Sequence, residues 1–70
     1  MNAQETYEKT AVDATGTMRH DGSSSIDAFS REVERLRAME AQGLVRIEFV
    51  HNEQQTGARH ADLVRFMRLK

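Results

Sequence analysis

Residues 26–50, IDAFSREVERLRAMEAQGLVRIEFV, decide the fold, because a helical apolar pattern there leads directly into a strand pattern. The first part carries large apolar residues at intervals of three, four and three, namely Ile26, Phe29, Val33 and Leu36. That spacing lines one face of an α-helix. We therefore predict one principal amphipathic helix over about residues 25–42.

Both ends of this helix carry recognisable signals. At the start, a hydroxyl of the serines at 23–25 can accept from a free N–H group of the first turn, and Asp27 favours the positive end of the helix dipole. At the end, Gly43 can take the left-handed conformation. Leu44 would then pack back on Met39 in a Schellman motif.

The chain after the helix predicts an antiparallel β-hairpin, with its first strand at about residues 44–51. In that strand Val45, Ile47 and Phe49 alternate with charged residues, which indicates one buried and one solvated face. The polar residues 51–60 include a Thr-Gly pair and form a loop or the tip of the hairpin.

The second strand of the hairpin is predicted at about residues 61–69. It is apolar on both faces, with Val64 and Phe66 on one side. The other side carries Leu63, Met67 and Leu69. This strand is therefore buried on both sides or meets a partner.

The N-terminal segment 1–21 has few large apolar residues, so we expect a weakly docked or weakly structured arm there. Apolar residues fall at helical spacing at Ala3, Tyr7, Ala11, Ala14 and Met18. However, the segment is also rich in β-branched residues, and a short strand around Thr6–Val12 is nearly as plausible. The choice between helix and strand stays open. The remaining residues, 22–70, are expected to form a single small α+β domain with the core.

Composition limits the classes of protein to consider. The chain has 70 residues and a net charge of -1. It contains no cysteine, so neither disulfides nor thiolate metal sites can stabilise the fold. We find no signal-peptide pattern and no apolar run long enough to cross a bilayer, and we expect a soluble cytoplasmic protein. Residues 46–70 carry five basic against three acidic side chains, a mild basic bias.

Metal and catalytic chemistry find little support in the sequence. His51 and His60 could face each other across the hairpin with Asp62 nearby, but no further ligand pattern completes a metal site. Residues 20–25 contain histidine, aspartate and serine, the residue types of a catalytic triad. A catalytic triad, however, is assembled on a rigid scaffold from positions that are distant in the chain. We expect no catalytic residues, no metal and no cofactor.

The solvent face of the helix points to a different role. Arg31, Arg35, Ala38 and Gln42 line up opposite the apolar stripe. Guanidinium and amide groups contact phosphates and purine edges in a major groove, and the small alanine permits close approach. An ordinary hydrated helix face is the alternative interpretation.

The segments SREVERL (30–36) and MEAQGLV (39–45) resemble the recognition helix and its exit in winged-helix transcription factors. The segment QQTGAR (54–59) resembles the tip of the wing, so the resemblance covers about residues 26–69. It implies a helix in the major groove and a wing that touches the DNA backbone or minor groove. The residues implicated by the resemblance are Arg31, Arg35, Gln42, Thr56 and Arg59.

Two functions are therefore expected for a non-catalytic domain. The first is nucleic-acid binding, with DNA as the partner. The second is protein interaction or homodimerisation through the two-sided second strand, at Leu63, Met67 and Leu69. Neither involves a membrane or a small-molecule substrate.

Overall fold

The computed structural model describes residues 2–20, 25–53 and 60–70. In chain order these form helix α1 (Ala3–Lys9), strand β1 (Thr15–Arg19), helix α2 (Ile26–Ala41), strand β2 (Val45–Asn52) and strand β3 (Ala61–Arg68). The predicted α+β class, principal helix and hairpin are confirmed. No helix in the described residues is long and apolar enough to cross a membrane.

The ends of α2 form as their local sequence predicts. The Ser25 hydroxyl accepts a hydrogen bond from the backbone N–H three residues on, at 3.1 Å. Gly43 has a φ of 78°, in the left-handed region. Its N–H donates to the Glu40 carbonyl, and the Leu44 N–H donates to the Met39 carbonyl, both at 3.0 Å. These two bonds are the Schellman pattern, which turns the chain directly into β2.

The sheet has the order β1-β3-β2, with β3 antiparallel to both neighbours. Strands β1 and β2 therefore run parallel to each other, and α2 links them across one face of the sheet. The buried apolar core lies between α2 and that face and comprises Ala3, Met18, Phe29, Val33, Leu36, Met39, Val45, Val64 and Phe66.

The N-terminal segment contributes both a helix and a strand. The alternative of a strand around Thr6–Val12 is wrong, since α1 continues to Lys9 and the strand begins at Thr15. The segment is also docked more firmly than its composition suggested, because Met18 is fully buried and Ala3 is 1% exposed. The segment is held by the buried side chains of Ala3 and Met18 and by the backbone pairing of β1 with β3.

Polar contacts fasten α1 to the rest of the molecule. The Ala3 N–H donates to Glu32 Oε1 on α2 at 2.9 Å. At the other end, Arg68 Nη1 donates to the Thr10 carbonyl at 2.9 Å, and its guanidinium lies 4.2 Å from the centre of the Tyr7 ring. A cation placed against the last carbonyls of a helix also complements the helix dipole.

A β-bulge in β2 changes which face Phe49 occupies. Ile47 pairs with Phe66 and Phe49 with Arg65, so Glu48 is an extra residue with no partner of its own on β3. The extra residue interrupts the alternation of side chains. Phe49 therefore faces away from α2 and is 45% exposed, and the prediction that it shares a face with Val45 and Ile47 is wrong.

Candidate functional site

The polar row on α2 lies on the surface, as helical geometry requires. We call Arg31, Arg35, Ala38 and Gln42 the helix row; all four residues are exposed. The opposite side of the helix buries its apolar residues against the sheet. A rigid helix therefore presents two guanidinium groups and one amide along a single line, with small Ala38 between them.

The charges around the helix row are mixed. Arg35 Nε lies 3.7 Å from Glu32 Oε2, while Arg31 forms no ion pair with the described part of the chain. Asp27 and Glu34 lie beside the row, and α2 as a whole carries three arginines against four carboxylates. The row therefore offers directed donors without a strong positive field.

The hairpin is described up to its neck, at Glu53 and His60. Thr56 and Arg59, which the resemblance implicates, lie outside the described residues. At the neck, the Glu53 N–H donates to the His60 carbonyl at 2.8 Å. This backbone bond joins β2 and β3 at the described residues on either side of 54–59.

The histidines at this neck do not gather around one point with other ligands. The His51 ring nitrogen Nδ1 lies 2.7 Å from Asp62 Oδ1. At His60 it is the backbone N–H, not the ring, that donates to Glu53 Oε1, at 3.3 Å. Within residues 2–20, 25–53 and 60–70, no three histidine, aspartate or glutamate side chains are grouped to hold a metal ion.

A shallow polar cleft of about 260 Å³ lies between α2 and the hairpin neck. Its lining residues are Ser30, Val33, Glu34, Arg37, Asn52, His60 and Ala61. Of residues 20–25, the two that the structure describes, His20 and Ser25, do not line this cleft. Of these, Ser25 caps α2 and the His20 ring lies 5.6 Å from the ring of Phe29, while residues 21–24 lie outside the described residues.

The face of the sheet turned away from α2 is a second candidate surface, which we call the open face. Val64 and Phe66 point into the core, so the alternate residues of β3 and their register partners lie on the other side. The open face comprises Thr15, Thr17, Arg19, Arg46, Phe49, His51, Leu63, Arg65 and Met67. Neither α1 nor α2 covers it, because both pack on the core side.

The open face combines apolar surface with positive charge. Arg65 lies with its guanidinium 5.6 Å from the centre of the Phe49 ring, and Arg46 Nη2 lies 3.8 Å from Met67 Sδ. Arg46 also pairs with Glu48 at 3.2 Å. Arg19 makes no ion pair with the described residues. Three arginines therefore surround a half-buried apolar strip.

The structure separates the residues predicted for self-association. Leu63 and Met67 lie together on the open face and are half-buried, whereas Leu69 follows the end of β3 and is 38% exposed. Sequence reasoning missed Phe49, Arg19, Arg46 and Arg65 as members of this surface. The register of the sheet brings these residues together. In the sequence, the one signal for this surface was the alternation of polar residues along the strands.

Comparisons with models of protein families, with curated proteins and with solved structures found no match. The helix row and the open face are the two surfaces on which the described residues concentrate groups suited to recognition.

Proposed function

We propose that this chain is a non-catalytic nucleic-acid-binding domain that places α2 against DNA through the helix row. The observation that carries the proposal is the exposure of Arg31, Arg35 and Gln42 along one line of a helix that is fixed on its other side by the core. Arginine and glutamine side chains donate to phosphates and to purine edges in the major groove. Because α2 packs against the sheet, the spacing between these donors is fixed.

The resemblance to winged-helix proteins supports this use of α2 and extends it to the hairpin. In that family two further helices precede the recognition helix, whereas the described residues before α2 form one helix and one strand. The proposal therefore concerns the helix-and-hairpin portion, residues 26–69. Thr56 and Arg59, which the resemblance implicates, are proposed as contacts to the DNA backbone.

Single substitutions on the helix row test the proposal by duplex-DNA binding. Arg31→Ala and Arg35→Ala should each weaken the binding of a labelled duplex, because each removes a charge that displaces a condensed counterion. Each should also reduce the log–log salt slope of the binding constant by about one unit. Fluorescence anisotropy titrations over a range of salt concentrations measure both effects.

Lys9→Ala is the matched control, because it removes one exposed positive charge from α1, outside the helix row. Lys9 is well exposed and pairs with Glu5 at 3.3 Å, so its loss leaves the core intact. Equal losses in the Lys9 and Arg31 variants would mean that the helix row is not the contact. A wild-type protein that retains no duplex near 50 mM salt, where electrostatic binding is strong, would overturn the proposal.

Homodimerisation remains the alternative function, and the exposed apolar residues of the open face favour it. Two copies meeting through identical open faces would, however, bring their arginines together, and like charges at an interface oppose association. Sedimentation of the wild-type protein separates the two functions, since the alternative requires a dimer. A cytoplasmic location is part of the same proposal, in keeping with a chain that contains no cysteine.

A further inference from the structure

We propose that the open face is a second binding surface, one that takes single-stranded nucleic acid. This surface lies on the other side of the sheet from α2. It does not depend on the helix row, and either proposal can hold without the other. The open face combines an exposed aromatic ring with arginines on all three strands.

The exposed ring is Phe49. The bulge at Glu48 turns it out of the core and leaves it 45% exposed on the edge strand β2, beside the central strand β3. Beside it, Leu63 and Met67 add half-buried apolar surface. An unpaired base can stack on such a ring whatever its identity, because every base has a π-face.

The charge on this side of the molecule suits a phosphate backbone. Arg19, Arg46 and Arg65 lie on three different strands, so positive charge crosses the whole width of the sheet. The nearby carboxylates are engaged within the chain, with Glu48 on Arg46 and Asp62 on His51. By contrast, α2 carries more carboxylates than arginines. With three arginines against Glu48 and Asp62, the open face carries a small excess of positive charge that α2 lacks.

A single strand fits this surface better than a duplex or a second copy of the chain. Three strands span about 10 Å at the usual spacing, the width of one extended backbone with its bases laid on the sheet. A duplex keeps its base faces stacked and offers nothing to Phe49. A second copy would set arginines against arginines, whereas phosphates neutralise them.

The test is a fluorescence anisotropy titration of the whole chain with a labelled twelve-nucleotide oligothymidine. The wild-type protein should bind this oligonucleotide at low salt. Phe49→Ala should weaken binding about fivefold or more through the lost stacking contact, and Phe49→Trp should preserve it. Arg65→Ala should weaken binding and reduce the salt slope.

Two matched variants show that the effect belongs to the open face. Val12→Ala removes another exposed apolar side chain, 51% exposed, from the turn before β1. Lys9→Ala removes a positive charge from α1, outside both the helix row and the open face. Both should leave oligothymidine binding unchanged. Thermal melts of every variant confirm that it is folded, and Phe49→Trp keeps the test valid if Phe49→Ala unfolds the domain.

Three results would overturn the inference. One is the absence of oligothymidine binding by the wild-type protein near 50 mM salt. Another is a loss in Phe49→Ala no larger than the loss in Val12→Ala. The third is a wild-type dimer that Phe49→Ala converts to a monomer, because a second copy would then occupy the open face. Failure of duplex binding in Arg31→Ala bears on the helix row alone and leaves this inference standing.

Discussion

At the scale of single residues, two glycines are required for different physical reasons. Gly43 takes a φ of 78°, and a Cβ at that position would meet no atom within 4 Å. Its role is therefore conformational, as a left-handed C-cap. Gly16 lies in β1 on the core side, where a Cβ would clash with Thr10 Oγ1 and come within 2.9 Å of the Phe66 ring. Its role is to let β1 approach the core closely.

The two roles predict different responses to substitution. Gly16→Ala should destabilise the protein by about 1–3 kcal/mol, because the added methyl group overpacks the site beside Phe66. Gly43→Asn should cost less than Gly43→Ala, because asparagine tolerates the left-handed region. Urea unfolding followed by circular dichroism measures both effects. If Gly16→Ala left the free energy of unfolding unchanged, β1 would be able to move away from the core without destabilising the protein.

At the scale of secondary-structure elements, Arg68 on β3 holds the C-terminal end of α1. It donates to the carbonyls of Thr10 and Tyr7, at 2.9 and 3.3 Å, and stacks on the Tyr7 ring. The Tyr7 hydroxyl in turn donates to the Lys70 carbonyl. The end of the chain and the beginning of the chain are thereby joined at one corner of the molecule.

Removal of this guanidinium should loosen α1. Arg68→Ala should cost about 1–3 kcal/mol through the lost charged hydrogen bonds and the lost contact with the Tyr7 ring. Arg68→Lys should destabilise the protein less than Arg68→Ala, because the ammonium group keeps the positive charge but lacks the planar geometry of the guanidinium. Tyr7 is the single tyrosine of a chain that has no tryptophan, so its fluorescence in a urea titration reports on this corner. An unchanged midpoint for Arg68→Ala would show that α1 is held by Ala3 and Glu32 instead.

At the scale of the whole molecule, one small core connects every element. Its members come from both helices and all three strands, with Ala3 from α1 and Met18 from β1. A domain of this size buries a modest fraction of its surface, so its stability depends on few side chains. We therefore expect α1 and the sheet to unfold together.

Substitution at the centre of the core tests this cooperativity. Leu36→Ala removes a fully buried side chain of α2 and should cost about 2–5 kcal/mol. Val12→Ala, at an exposed position, should change stability by less than about 0.5 kcal/mol. Melts followed by Tyr7 fluorescence and by far-ultraviolet circular dichroism should coincide for each protein. Separate transitions would mean that α1 is not part of the cooperative unit.

The sequence by itself determined the elements whose signals are local. The helix at 26–41, its serine cap and its Gly43 stop follow from apolar spacing and from the hydrogen-bonding needs of helix ends. The exposure of Arg31, Arg35 and Gln42 follows from the same spacing, because burial of one helical face leaves the other in water. The hairpin strands were recognisable from their β-branched and aromatic residues.

The tertiary structure alone decided the features that depend on partners distant in sequence. Strand β1 has weak local signals, and it becomes a strand because β3 offers it a hydrogen-bonding edge. The position of Phe49 depends on a bulge, and one extra residue moves a side chain to the other face without any change in composition. The open face depends on the register of three strands, which places Arg19, Arg46 and Arg65 on one surface although they are far apart in the chain.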